Sequence, residues 1–193
     1  SSSPLAQQLG PGGASGAFFS RDRSPIWMDA STTADCEAIT RAVGGTQALA
    51  DLTGSRAFER FTGPQIRKFA RTDPEGYART ERIHLVSSFL ASLLAGRHAV
   101  IDPGDGSGMN LMDLRARRWS PAALEATAPG LAGKLPPIVE SWTDVGPLAP
   151  YWQRRHGLPA ARVVAWSGDN PCSLVGTGLV REGLAAISLG TSD

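Results

Sequence analysis

Trp166-Ser167-Gly168-Asp169-Asn170-Pro171-Cys172-Ser173-Leu174 is the stretch whose reading decides the fold. It follows Ala161-Arg162-Val163-Val164-Ala165, a short and partly β-branched apolar run that predicts a buried strand. Asn170 suits an N-cap, and Pro171 suits the first helical position, where a missing N–H costs nothing. Asp169 is therefore expected at the carboxyl end of a strand, the usual place for ligand-binding groups in open α/β sheets. Further on, Gly183-Leu184-Ala185-Ala186-Ile187-Ser188-Leu189 predicts a second strand that gives way to Gly190-Thr191-Ser192. Small residues and hydroxyls at such a turn let backbone N–H groups approach a phosphate. A carboxylate able to take a hydroxyl proton, near a loop able to hold a phosphate, is the minimum equipment for phosphoryl transfer to an alcohol.

Upstream, the chain alternates helical segments with short strands, which favours an α/β class. Residues 1–24 are rich in Ser, Gly and Pro and predict a loop or tail, and residues 25–28 a short strand. Ser31, Thr32 and Thr33 offer caps for a helix through Val43 that Gly44-Gly45 ends, and a second helix stops at Gly54. Helices are expected over 63–71, over 73–82 with Pro74 in the first turn, and over 84–94 before Gly96. Short strands are expected at 99–101 and 110–114, with residues 102–108 as the loop between them. Ser120-Pro121 opens another helix, and residues 150–156 form a short one before the closing strand, helix and strand.

Composition narrows the function classes. The chain has 193 residues, enough for a substantial core, and 41% of them are apolar. With 19 basic and 18 acidic side chains the net charge is +1, which makes no case for nucleic acid or an anionic membrane. Cys36 and Cys172 are too few for a disulfide framework or a zinc site, so a reduced, cytoplasmic setting is expected. The start lacks the regions of a signal peptide, and the apolar run at 85–95 is too short to span a bilayer. His84, His98 and His156 have no partners at ligand spacing and are expected in packing or at the surface.

Several blocks in order add a resemblance. Pro25-Ile26-Trp27-Met28-Asp29, Leu52-Thr53-Gly54-Ser55-Arg56-Ala57, Glu59-Arg60-Phe61-Thr62-Gly63, Leu85-Val86-Ser87-Ser88-Phe89 and Asp105-Gly106-Ser107-Gly108-Met109-Asn110-Leu111 precede Gly168-Asp169-Asn170 and Ser188-Leu189-Gly190-Thr191-Ser192. Together they resemble the N-terminal domain of FGGY-family carbohydrate kinases, most of all the xylulokinase branch. The resemblance implies an actin-like, ribonuclease-H-like α/β domain, with residues 25–193 as its later part. The family's opening phosphate loop and its nucleotide domain have no counterpart here, so the chain reads as a fragment expected to be inactive alone. One departure is Pro64-Gln65-Ile66-Arg67-Lys68-Phe69, where many members have a Lys- and Trp-bearing helix.

The resemblance also implies roles. Asp169 would accept the proton of the attacking sugar hydroxyl, Asn170 and Arg60 would hold the sugar, and Gly190, Thr191 and Ser192 would touch the ATP phosphates. The implied substrates are D-xylulose and ATP with Mg2+, with no nucleic acid or membrane partner and a homodimer as an allowed assembly. The competing readings are another pentulose or polyol kinase, and a non-catalytic sugar-binding module. Without the resemblance, Asp169 reads as a helix cap, Arg60 as a surface arginine paired with Glu59 or Glu81, and Gly190-Thr191-Ser192 as an ordinary turn. Arg56, four residues before Arg60, is the position most easily confused with it. The loop around Asp105 reads as structural, with Ser107 and its neighbours helping to shape the sheet near the sugar. Among the tryptophans only Trp166 stands close enough to Asp169 to line a site.

Overall fold

The first helical hairpin forms where the glycine punctuation places it. In the computed structural model, which describes residues 18–187, α1 spans Thr33–Val43 and α2 spans Thr46–Thr53. Gly44 ends α1 at φ 105°, a left-handed conformation that disfavours a Cβ, and its N–H reaches the Arg41 and Thr40 carbonyls. Thr32 does not cap α1; its hydroxyl instead donates to the Glu59 carbonyl at 2.6 Å. The hairpin closes on Ile39 and Leu49, both fully buried, with Ala126 from a later helix. Each such aliphatic side chain contributes about 1.5–3 kcal/mol through burial. The exposed Arg79–Glu75 pair at 3.9 Å, by contrast, adds little.

The main core lies between α3 (Thr62–Thr72), α4 (Pro74–Arg79) and α7 (Pro121–Thr127). Asp73 and Ser120 cap α4 and α7 as their Asp-Pro and Ser-Pro pairs predict, accepting from Gly76 N–H at 2.8 Å and Ala123 N–H at 3.3 Å. Ile66, Phe69, Tyr77, Leu111, Leu124 and Leu131 interdigitate there. Asp35 ties α1 to α3. Its carboxylate is 2% exposed and is gripped by both arms of Arg71, at 3.1 and 3.0 Å, with Arg67 3.9 Å away. Removing Arg71 would leave that carboxylate buried with one distant cation, whereas removing Asp35 frees two arginines that already reach water. Arg71→Ala is accordingly expected to lose about 2–3 kcal/mol of stability, and Arg71→Lys to recover only part of it. Chemical denaturation checks this, and an Arg71→Ala loss below about 0.5 kcal/mol would contradict it.

A second cluster joins α5 (Val86–Ala95) to an antiparallel ribbon of β3 (Asp144–Pro147) and β4 (Arg162–Val164), through Ala91, Ala99, Val145, Leu148 and Val163. The ribbon carries a register irregularity between Asp144 and Gly146. The only other sheet among the described residues is the hairpin β1 (Met112–Asp113) with β2 (Arg118–Trp119). α8 (Pro150–His156) connects β3 to β4, and no described helix is long and apolar enough to cross a membrane.

Six local expectations are corrected, the first being the strand at 99–101, which is reduced to an isolated parallel bridge from Ile101 to Ile138. Residues 25–28 form a turn closed by Asp29 N–H to the Ile26 carbonyl, with Ile26, Trp27 and Met28 exposed. The strand at 110–114 shrinks to two residues because Asn110 sits at φ 60°. Its amide instead donates to Thr53 Oγ1, Ser55 Oγ and the Ser55 carbonyl at 2.8–3.0 Å. The segment 102–108 is not a loop: Pro103–Gly108 is a helical turn, α6. Its glycines are poor helix formers. The turn is held from outside, with Asp102 capping Asp105 N–H at 2.8 Å and accepting from Ser141 Oγ at 2.7 Å. Finally, β4 is buried on one face only, with Val163 inside and Val164 exposed, and residues 183–187 carry no strand.

His84 precedes α5 as part of a stacked pair. Its Nε2 lies 3.0 Å from His98 Nδ1, its Nδ1 lies 3.1 Å from Ser88 Oγ, and the ring centroids are 5.2 Å apart. Burial, then the His98 and Arg82 charges, hold its pKa down to about 4. The folded value is below the ordinary one of about 6.5, so the unfolded chain takes up the proton first. The contribution of neutral His84 is present above about pH 6.5 and is lost as pH falls toward 4. The drop in melting temperature between pH 7 and 4.5 should therefore be smaller for His84→Gln than for the parent. Equal drops would sink this account.

Candidate functional site

Asp169 is the first residue of α9 (Asp169–Gly176), two positions earlier than Asn170 as cap and Pro171 as first helical residue suggested, with Gly168 as the flanking residue. The chain arrives from β4 through Ala165, whose N–H bonds the Thr143 carbonyl at 2.8 Å, and turns at Ser167-Gly168. Asp169 is exposed, and its Oδ1 accepts from Asn170 N–H at 2.9 Å. A carboxylate in the first turn of a helix meets unsatisfied N–H groups and the positive end of the peptide dipoles, and this one is open to solvent. It can therefore accept a hydrogen bond, and then a proton, from a hydroxyl group that approaches from solvent. Asn170 is exposed beside it. Trp166, three residues ahead, is 38% exposed.

A second carboxylate that sequence reasoning treated as structural joins this turn. Asp105, on α6, takes a hydrogen bond from Ser87 Oγ of α5 and lies against Gly168. Burial raises its pKa, Ser87 opposes that rise, and the charges of Asp102 and Asp169 add to it. The signal available in the sequence was the Asp102-Pro103-Gly104-Asp105 run, a cap followed by proline and a third-position acid, which predicts a helix start.

Arg60 stands apart from this cluster. Its guanidinium lies 5.6 Å from the ring centre of Trp27 and 5.4 Å from that of Phe58. No ion pair engages it among the described residues, so the expected bonds to Glu59 or Glu81 do not form. Glu59 instead accepts from Thr33 Oγ1 at 3.3 Å. No described hydrogen bond links Arg60 to Asp169 or Asn170; the two halves of the candidate site are carried by separate elements. Gly190, Thr191 and Ser192 lie outside the described residues. Cys36 is buried and Cys172 exposed, both with free thiols. Among the described residues no three His, Cys, Asp or Glu side chains converge as metal ligands.

Comparison with known proteins gives a consistent picture. Residues 23–176 match the N-terminal domain of the FGGY family of carbohydrate kinases. Xylulose kinase 2 of Arabidopsis thaliana is 56% identical over 176 residues, which cover 91% of this chain and 32% of that protein. Xylulose kinase of Rattus norvegicus is 54% identical, over 92% of this chain and 33% of its own length. The chain thus spans about a third of the length of these relatives. A solved xyloylose kinase from Brucella ovis superposes with a TM-score of 0.73 at 28% identity, over 82% of this chain and 32% of that one. Plasmodium falciparum glycerol kinase shares the fold, with a TM-score of 0.69 at 16% identity over 82% of this chain and 31% of that one.

Proposed function

We propose, from the premise that this chain belongs to the FGGY family of carbohydrate kinases, that the protein containing it transfers the γ-phosphoryl group of ATP to the 5-hydroxyl of D-xylulose. The actin-like ATPase fold of that family is the frame. The observation that carries the choice of sugar is the identity of 54–56% to xylulose kinases across more than nine-tenths of the chain.

The geometry supports a division of labour. Asp169, exposed at the start of α9, would take the hydroxyl proton as the oxygen attacks phosphorus, and Asn170 would hold a neighbouring sugar oxygen. Arg60, with no carboxylate partner among the described residues, has donors free for sugar oxygens, and the guanidinium fork suits a polyol. Gly190, Thr191 and Ser192 are the proposed phosphate contacts. Phosphoryl transfer needs little covalent help from the protein, so catalysis rests on placing the hydroxyl in line and neutralising phosphate charge. An aspartate is a weak base at neutral pH; its usefulness comes from position and from excluding water when domains close. No three His, Cys, Asp or Glu side chains among the described residues converge as a dedicated metal site, and Mg2+ would arrive as part of the nucleotide substrate.

The test is turnover of the full-length protein against a panel of ketoses and polyols, with ATP consumption and sugar phosphate both followed. Preference for D-xylulose, with product phosphorylated at the 5-position, is the expected result. A stronger preference for another pentulose or polyol would move the assignment within the family. Sugar binding without turnover of any sugar would favour a non-catalytic module.

A further inference from the structure

We propose that Asp105 is a positioning residue: its carboxylate, anchored by Ser87, braces Gly168 and so fixes where Asp169 stands at the start of α9. The inference rests on the role proposed above for Asp169. Three separate elements meet at this point, Ser87 from α5, Asp105 from α6 and Gly168 from the turn between β4 and α9.

The contact is tight enough to explain two glycines by space alone. Gly168 has φ −71° and ψ 162°, a backbone that any residue adopts, so its identity is not a matter of backbone strain. A Cβ built there would lie 2.5 Å from Asp105 Oδ1. On the facing turn, a Cβ at Gly104 would lie 2.8 Å from Ser167 Oγ and 2.9 Å from Pro171 Cγ. The backbones of α6 and the α9 turn thus approach as closely as glycine permits, with the Asp105 carboxylate filling the space a side chain at 168 would need. α6 itself is held firmly, through Asp102 to Ser141 and through Gly106 packed near Met112 and Ile138. A rigid brace of this kind matters because misplacing a reacting group by a fraction of its bond reach lowers the rate without changing which groups are present. Asp105 does not need to touch the substrate for this role.

The experiment uses the full-length protein and two readouts, kinetics with the best sugar of the panel and hydrogen–deuterium exchange over residues 166–172. Asp105→Ala is expected to lower kcat about tenfold with KM for sugar and ATP within about twofold, and to speed exchange in that segment. Asp105→Asn keeps the volume and an oxygen for Ser87, and should restore most of the rate and the protection. Gly168→Ala should reproduce the loss, and adding Asp105→Ala to it should cost less than the sum of the two. Unchanged kcat and exchange in Asp105→Ala overturns the inference, as does an Asp105→Asn variant as poor as Asp105→Ala. Asp169→Asn, run in parallel, separates the two ideas. If it stays active, the base assignment fails, and if no sugar is turned over, the exchange data still decide whether Asp105 braces the turn.

Discussion

Replacing Asp169 with Asn in the full-length protein is expected to lower kcat by roughly 10²–10⁴ while leaving KM for the sugar little changed. The amide keeps the size of the side chain and an oxygen for the Asn170 N–H, so the start of α9 should survive. What it loses is the ability to take a proton and the negative charge facing the helix N-terminus. The second loss costs only about 0.3–1 kcal/mol of stability at an exposed site. The two roles of Asp169 therefore make opposite predictions. A base gives a collapse of kcat with a nearly unchanged melting temperature, and a cap gives a small thermal loss with turnover intact. Steady-state kinetics beside a thermal melt distinguishes them, and near-normal kcat would show Asp169 to be structural.

The parts of this fold written in local chemistry were readable in advance. Helix ends at Gly44, Gly54 and Gly96, and starts at Asp73-Pro74 and Ser120-Pro121, follow from capping and backbone freedom within a few residues. What local chemistry does not encode was missed. The pairing of β3 with β4 joins segments about one helix apart and exposes one face of Val163-Val164, a burial pattern set by α5 rather than by the strand's own sequence. Asn110 breaks its strand because Thr53 and Ser55 are there to receive its amide. α6 persists despite its glycines because Asp102 and Ser141 hold it, and that same turn delivers Asp105 to the candidate site. The place of Asp169 between β4 and α9 was legible because a single carboxylate at a strand–helix junction is a local pattern. Asp105 was not, because its meaning depends on Ser87 and Gly168, which lie 18 residues before it and 63 after it in the chain.

Arg60→Ala is expected to raise the apparent KM for D-xylulose roughly ten- to a hundredfold, with KM for ATP moving little. The magnitude follows from losing one hydrogen bond with a charged donor, about 1.5–3 kcal/mol. The stability cost should be small. Arg60 is exposed, and among the described residues it stands over the Trp27 and Phe58 rings, contacts worth about 0.5–1 kcal/mol at such a site. Those rings have a second consequence, since they hold the guanidinium in place before a ligand arrives and so reduce the ordering cost of binding. Arg60→Lys keeps the charge but loses the planar fork, and should recover affinity only in part. Arg56→Ala serves as the control for register. Arg56 is exposed on the same stretch of chain and should leave both Michaelis constants near the parent values if Arg60 is the sugar contact. If the effect follows Arg56 instead, the residue-by-residue match is shifted. Equal increases in both KM values for Arg60→Ala, or a large fall in its melting temperature, would make Arg60 a structural residue that the sugar never meets.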